Sequence, residues 1–144
     1  MDNKKDWCWD ISKMHSKFGV HDWVDDKVEE HDYTSLRKFL EFRLKFLQEE
    51  LSETSKAVEE GDPEEIVDGL IDLCVVAIGT LDAFDVDPYK AWDVVHKANM
   101  SKEAGVKPER PNPLGLPDLI KPKGWEGPSH KKNHGIIGKL FPRD

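Results

Sequence analysis

Glu60-Gly61-Asp62-Pro63 constrains this chain more than any other four residues. Gly61 is a helix stop. Asp62 is an N-cap and Pro63 a first-turn proline, and Glu64 and Glu65 follow where a helix N-terminus favours negative charge. Before the stop, Leu36, Phe39, Leu40, Leu44, Leu47, Leu51 and Val58 recur mostly at three and four, from an N-cap at Thr34 or Ser35. After it, Ile66, Val67, Leu70, Ile71, Leu73, Cys74, Val75, Val76, Ile78 and Leu81 continue to about Phe84. That second pattern is apolar nearly all round, which predicts a central helix. Two long helices joined by so short a turn form an antiparallel hairpin.

The flanking chain is helical too, and the predicted fold class is all-α. Ile11, Met14 and Phe18 carry a short helix over Asp10–Phe18, with Gly19 as its stop. Residues 20–33 are aromatic and acidic without a clear period. Asp87-Pro88 repeats the start signal for a helix to about Met100, with Tyr89, Trp92, Val95 and Ala98 inward. No repeat and no strand alternation is visible. Past residue 102 the composition changes. Residues 103–144 hold seven of the nine prolines and six of the ten glycines, with eight Lys/Arg against five Asp/Glu. The division predicted is a helical domain over 1–102 and an extended arm over 103–144. Such an arm holds no long helix. It reads either as a disordered tail or as a strap, since Leu114, Leu116, Leu119, Ile120, Trp125, Ile136, Ile137, Leu140 and Phe141 give it apolar anchors.

Composition excludes several roles. The chain has 144 residues, enough for one domain, and a net charge of −8, which argues against a general nucleic-acid binder. No run approaches a membrane span, and the first ten residues have no apolar signal core. Cys8 and Cys74 make neither a disulfide framework nor a zinc-finger spacing, so a cytoplasmic setting is the expectation.

The chemistry-bearing residues lie on the hairpin. Glu50 and Glu53 are three apart and share a face, and Asp68 and Asp72 are four apart on the next helix. Glu53 with Asp68, and Glu50 with Asp72, stand at matching distances from the Glu60-Gly61 turn, so the pairs are level. Glu-rich helix surface is ordinarily solvated, and Lys45 and Lys56 are placed to pair Glu49, Glu53 or Glu60. The two aspartates differ, because they interrupt the most apolar helix. No Lys, Arg or His occurs from Ala57 to Tyr89. Hard oxygen ligands without a basic neighbour suit Mg²⁺ or Mn²⁺.

On these residues the chain resembles the all-α nucleoside triphosphate pyrophosphohydrolases. This MazG-like group includes all-α dUTPases, dCTPases and phosphoribosyl-ATP pyrophosphohydrolases. Glu50-Leu51-Ser52-Glu53 is similar to the family's Glu-x-x-Glu half. Its Glu-x-x-Asp half is altered: Gly69 stands three before Asp72, and Asp68 precedes it. Val94-Val95-His96-Lys97-Ala98-Asn99-Met100-Ser101-Lys102 is similar to the family's Val-His-x-x-Asn-Met-Ser-Lys segment, and Lys121-Pro122-Lys123-Gly124-Trp125 also resembles that group. The resemblance implies Mg²⁺ on Glu50, Glu53, Asp68 and Asp72, a nucleoside triphosphate substrate, and contacts to it from Asn99 and Lys102. It also implies a homodimer or homotetramer completing a four-helix core.

Other assignments follow from position. Glu49 adjoins a ligand and is the candidate catalytic base. Lys121 brings charge to a triphosphate if the arm folds back; otherwise it is a solvated basic residue, as Lys102 is otherwise a favourable charge at a helix C-terminus. The tryptophans read as core or interface, with Trp23 or Trp125 available to cover a base. Two His-Asp dipeptides, His21-Asp22 and His31-Asp32, lack a helical His partner at a spacing suited to an HD-type phosphohydrolase. The competing functional class is a non-enzymatic helical oligomerisation or adaptor module with a solvated acidic face.

Overall fold

A computed structural model describes residues 5–109, 114, 115 and 117–143. Pro111, Pro113 and Leu116 of the predicted arm lie outside them. The elements are α1 (Trp7–Lys17), α2 (Val20–Glu29), α3 (Tyr33–Glu60), α4 (Pro63–Ala83), α5 (Pro88–Met100), β1 (Glu103–Gly105), β2 (Asp118–Ile120) and α6 (Ile137–Leu140). The fold is all-α apart from one short antiparallel pair, in which Glu103 faces Ile120 and Gly105 faces Asp118. No helix among the described residues is long and apolar enough to cross a membrane.

The helix starts are set by aspartates. The Asp6 carboxylate accepts from the Trp9 amide at 2.9 Å, so α1 begins three residues before Asp10. Asp32 caps α3, accepting from the Ser35 amide at 3.1 Å and its hydroxyl at 2.6 Å. This corrects the cap predicted at Thr34 or Ser35: Ser35 is the donor inside the helix, and the acceptor lies three residues earlier. Asp62 caps α4 with Pro63 at its first position, and Gly61 ends α3 at φ +67°, as the turn signal requires. Residues 20–33 also hold a helix. Gly19 both stops α1 and starts α2 with φ +82°, and Val20, Val24 and Val28 recur every four residues toward the core.

Two compact units make up the chain. One runs to Pro88 and takes back the chain from His134; the other is Tyr89–Asn133. In the first, α4 packs on α3, α1 and α2. Val24, Leu36, Ala83, Phe84, Ile136 and Leu140 form its buried cluster. The last two come from the far end of the chain, which behaves here as a strap and not as a tail. The Ile136 amide donates to the Phe84 carbonyl at 2.7 Å, and Arg37 donates from Nε and Nη2 to the Leu140 carbonyl at 3.2 and 3.0 Å. Gly135 makes this docking possible. A Cβ there would press into the Phe84 and Asp85 carbonyls, and its φ of +53° suits glycine.

In the second unit, Ala98 of α5 is buried, whereas Tyr89 and Trp92 are exposed, against the inward placing predicted for them. Trp7, Trp9 and Trp23 are exposed as well, so these tryptophans are not core of a single chain.

Leu140 is 1% exposed. Leu140→Ala is therefore expected to cost about 2–5 kcal/mol in urea denaturation, the range for a buried leucine. A loss below about 0.5 kcal/mol, the surface level, would mean the strap contributes nothing.

Candidate functional site

The face of α3 that meets α4 is read by contacts. Leu36 is in the core, Arg43 reaches α4, Thr54 and Ala57 are buried, and the spacing runs in threes and fours through Leu40, Leu47 and Glu50. Glu50 thus falls on a helix–helix seam, where apolar residues are the rule. On α4 the matching seam is Gly69, Asp72, Val76, Gly79, Thr80 and Ala83. Both Glu50 and Asp72 are half-buried, while Glu49, Glu53 and Asp68 are exposed. The aspartate pair is therefore less deeply placed than its apolar helix suggests.

Register across the hairpin follows the turn. Arg43 Nε donates to Thr80 Oγ1 at 3.0 Å and Nη2 to the Val76 carbonyl at 2.9 Å. One further level pair is Thr54 and Gly69. A Cβ on residue 69 would overlap Thr54 Oγ1, which itself donates to the Glu50 carbonyl at 2.7 Å. A glutamate cannot stand at 69 in this packing, and the acidic position falls to Asp68, one residue round the helix.

The carboxylates feel one another. The Glu50 carboxyl is held above the ordinary glutamate range, first by burial and then by the negative charge of Asp72, Glu53, Asp68 and Glu49. Four of the sequence-derived residues are thus gathered electrostatically about the fifth. Among the described residues no ion pair engages any of them: Lys56 pairs Glu60, at 3.9 Å, and Lys45 pairs no carboxylate.

Asn99, Lys102 and Lys121 belong to the second unit. Trp125 Nε1 donates to the Ala98 carbonyl at 3.1 Å and to Ser101 Oγ at 2.9 Å, closing the end of α5. The ammonium groups of Lys102 and Lys121 each lie 5.3 Å from the centre of the Trp125 ring. Two lysines nineteen residues apart thereby converge on one indole, and the exposed Asn99 lies one turn before Lys102.

One cluster escaped the sequence pattern. Asp82 Oδ2 lies 2.9 Å from His15 Nδ1 and 2.7 Å from His21 Nε2. His21 therefore does have histidine and aspartate partners on helices, on α1 and α4, and they are not Asp22. The signal was faint: His15 lies in the last turn of α1, His21 one residue into α2, and the shared acid is sixty-one residues beyond His21. Burial raises the Asp82 carboxyl, but hydrogen bonds from His21, Ser12 and His15 outweigh it and hold it low. Burial keeps His15 below the usual histidine range.

A family model described as phosphoribosyl-ATP pyrophosphohydrolase matches residues 19–99, more than half of the chain, and the chain belongs to that family. The match spans α2, α3 and α4 and most of α5, and begins after His15. No curated protein and no solved structure gives a significant match.

Because the folded state raises Glu50 above its unfolded value, its contribution to stability is present at acid pH and is lost as pH rises through the folded pKa. In EDTA, the melting-temperature difference between wild type and Glu50→Gln is expected to move in the variant's favour as pH rises from the ordinary glutamate range. A difference flat with pH would remove the carboxylate coupling.

Proposed function

We propose that the chain, as a member of the phosphoribosyl-ATP pyrophosphohydrolase family, is a Mg²⁺-dependent nucleoside triphosphate pyrophosphohydrolase. The observation that carries this is the half-buried Glu50 carboxyl, raised by burial and then by four neighbouring carboxylates, with no ion pair to these groups among the described residues. An oxygen-only donor set of this kind fits Mg²⁺, with Mn²⁺ as a substitute. Glu50, Glu53, Asp68 and Asp72 would hold it. When bound, the ion would offset the triphosphate charge and lower the pKa of water.

The chain's own residues supply the rest. Glu49, exposed and next to Glu50, would take a proton from the attacking water as its oxygen bonds to the α-phosphorus. The bond from that phosphorus to the bridging oxygen breaks, and pyrophosphate leaves with the electron pair. The products are a nucleoside monophosphate and pyrophosphate. Lys102 and Lys121, gathered on Trp125, are suited to phosphate charge, and Asn99 to the nucleotide. An open groove lined by Phe18, Trp23, Phe39, Phe42 and Lys38 supports a nucleotide reading.

Pyrophosphate release from a panel of nucleoside triphosphates and phosphoribosyl-ATP, with Mg²⁺ and with EDTA, tests the reading. Asp72→Asn is expected to reduce turnover at least 100-fold with its helical circular dichroism unchanged. Unchanged kcat would remove Asp72 from the site. No release from any member of the panel would leave the adaptor class.

The same reading includes assembly. Leu44, Leu51 and Val58 are exposed at intervals of seven along α3, and Val67, Leu70 and Ile71 are exposed on α4. A heptad stripe of this kind is the seam of a helix pair. A two-fold copy covering it would complete a four-helix core as a homodimer or homotetramer. Light scattering with in-line chromatography is expected to give a multiple of 16.5 kDa. A sharp monomer at micromolar concentration would refute it.

A further inference from the structure

We propose that His15, His21 and Asp82 form a second metal site, for a borderline transition ion of the Zn²⁺ type, that pins α1 and α2 to α4. Among the described residues this is the one group of three metal-ligating side chains whose donor atoms all lie within 4.8 Å of one another. Two imidazole nitrogens and one carboxylate oxygen suit Zn²⁺, Co²⁺ or Ni²⁺, whereas the hairpin carboxylates are an oxygen-only set.

The convergence is the argument. Both histidines point at a single oxygen, Asp82 Oδ2, at 2.9 and 2.7 Å. One carboxylate oxygen has two lone pairs and accepts from both histidines, and in doing so it brings the three donors close to a common centre. An ion needs the three donors on one centre. With bonds of about 2.0–2.2 Å, tetrahedral ligands stand roughly 3.4 Å apart, so each nitrogen moves only about 0.5–0.7 Å from the oxygen. Each neutral imidazole would bind through the nitrogen that now faces Asp82, its single proton moving to the ring's other nitrogen, so no net proton need leave.

The surroundings hold the donors in place. Gly79 has no side chain where His15 lies; a Cβ there would stand 3.0 Å from its Cε1, so the ring rests on the α4 backbone. Ser12, on the same face of α1 as His15, hydrogen-bonds to the Asp82 carboxylate. The His15 side chain is 5% exposed and that of Asp82 15%, but that of His21 is 32% exposed, which leaves an entry path and room for a water ligand. The pin also has work to do. Helix α1 buries Ile11 and His15, and α2 buries Val24 with Val20 and Val28 partly buried beside it, so a metal would add a polar anchor to the apolar hold of two short helices. Arg43, close to Gly79 and His15, opposes a dication. The expected affinity is therefore micromolar, not nanomolar.

Titration of the full chain with Zn²⁺, in millimolar Mg²⁺ to fill the oxygen sites, tests the proposal. One equivalent per chain is expected, with a rise in melting temperature, and Co²⁺ is expected to give visible d–d bands of a nitrogen-ligated, low-coordinate ion. His21→Gln, at the most exposed of the three ligands, is expected to weaken Zn²⁺ binding at least tenfold with helix content retained, whereas Glu50→Gln leaves it unchanged. Asp82→Asn is the second variant, and the wild-type Co²⁺ spectrum needs no variant at all. No Zn²⁺ binding above Mg²⁺, binding undiminished in the His21 and Asp82 variants, or loss in Glu50→Gln would each overturn the site and leave a hydrogen-bonded triad. None of these outcomes depends on pyrophosphate release, so the proposed activity stands or falls separately.

Discussion

Everything at the centre of this chain depends on how closely α3 and α4 approach. Gly69 lies against the Thr54 side chain, and Gly79 against the Arg43 guanidinium. A methyl at either position would have to push the helices apart or displace a polar group from its partners, at about 1–3 kcal/mol by the usual cost of overpacking. The gain is a seam on which polar groups of α3 rest on α4 backbone. Arg43 finds the Val76 carbonyl and Thr80, and Thr54 turns back to its own helix at the Glu50 carbonyl. Each buried donor is satisfied, so the seam tolerates polar residues that would otherwise cost about 1–3 kcal/mol each. Only then can Glu50 and Asp72 occupy seam positions.

Much of this frame is legible in the residues. Gly61, Asp62 and Pro63 fix the hairpin, and the level pairing of Glu50 with Asp72 and Glu53 with Asp68 follows from a turn of known length. What the residues do not disclose is depth. Asp68 interrupts an apolar helix yet is exposed, because the apolar face beside it, at Val67, Leu70 and Ile71, is itself uncovered in one chain. Gly69 reads as the loss of a family glutamate until Thr54 is seen opposite it; crossing distance is a property of two helices and is written in neither alone.

The illegible parts share a cause. Helix α2 carries a thin stripe of valines among aspartates, and its one fully buried side chain, Val24, is too little signal to fix a period. The three-residue strands are shorter than any alternation can mark. The strap depends on Gly135 meeting the Phe84 carbonyl, a contact across about a third of the chain. Long-range partners of short elements decide these, and local periodicity does not carry them.

Asp72 and Asp82 show how one helix separates two kinds of chemistry. They are ten residues apart, so about 15 Å along the axis and about 80° round it. Asp72 faces α3 and its glutamates, and Asp82 faces α1 and α2 and their histidines. The separation exceeds the Debye length of about 8 Å at physiological salt, so charge at the exposed edges of the two clusters is largely screened between them. Their titrations are also opposed. Glu50 is raised by burial and then by its anionic neighbours, whereas hydrogen bonds from the neighbours of Asp82 outweigh burial and lower it. The first cluster gains by acquiring positive charge, and the second is already satisfied by protons. A hard cation at the glutamates, as proposed, would meet carboxylates that no described cation pairs, whereas an ion at the histidines would have to displace two hydrogen bonds, which suits a nitrogen-seeking metal.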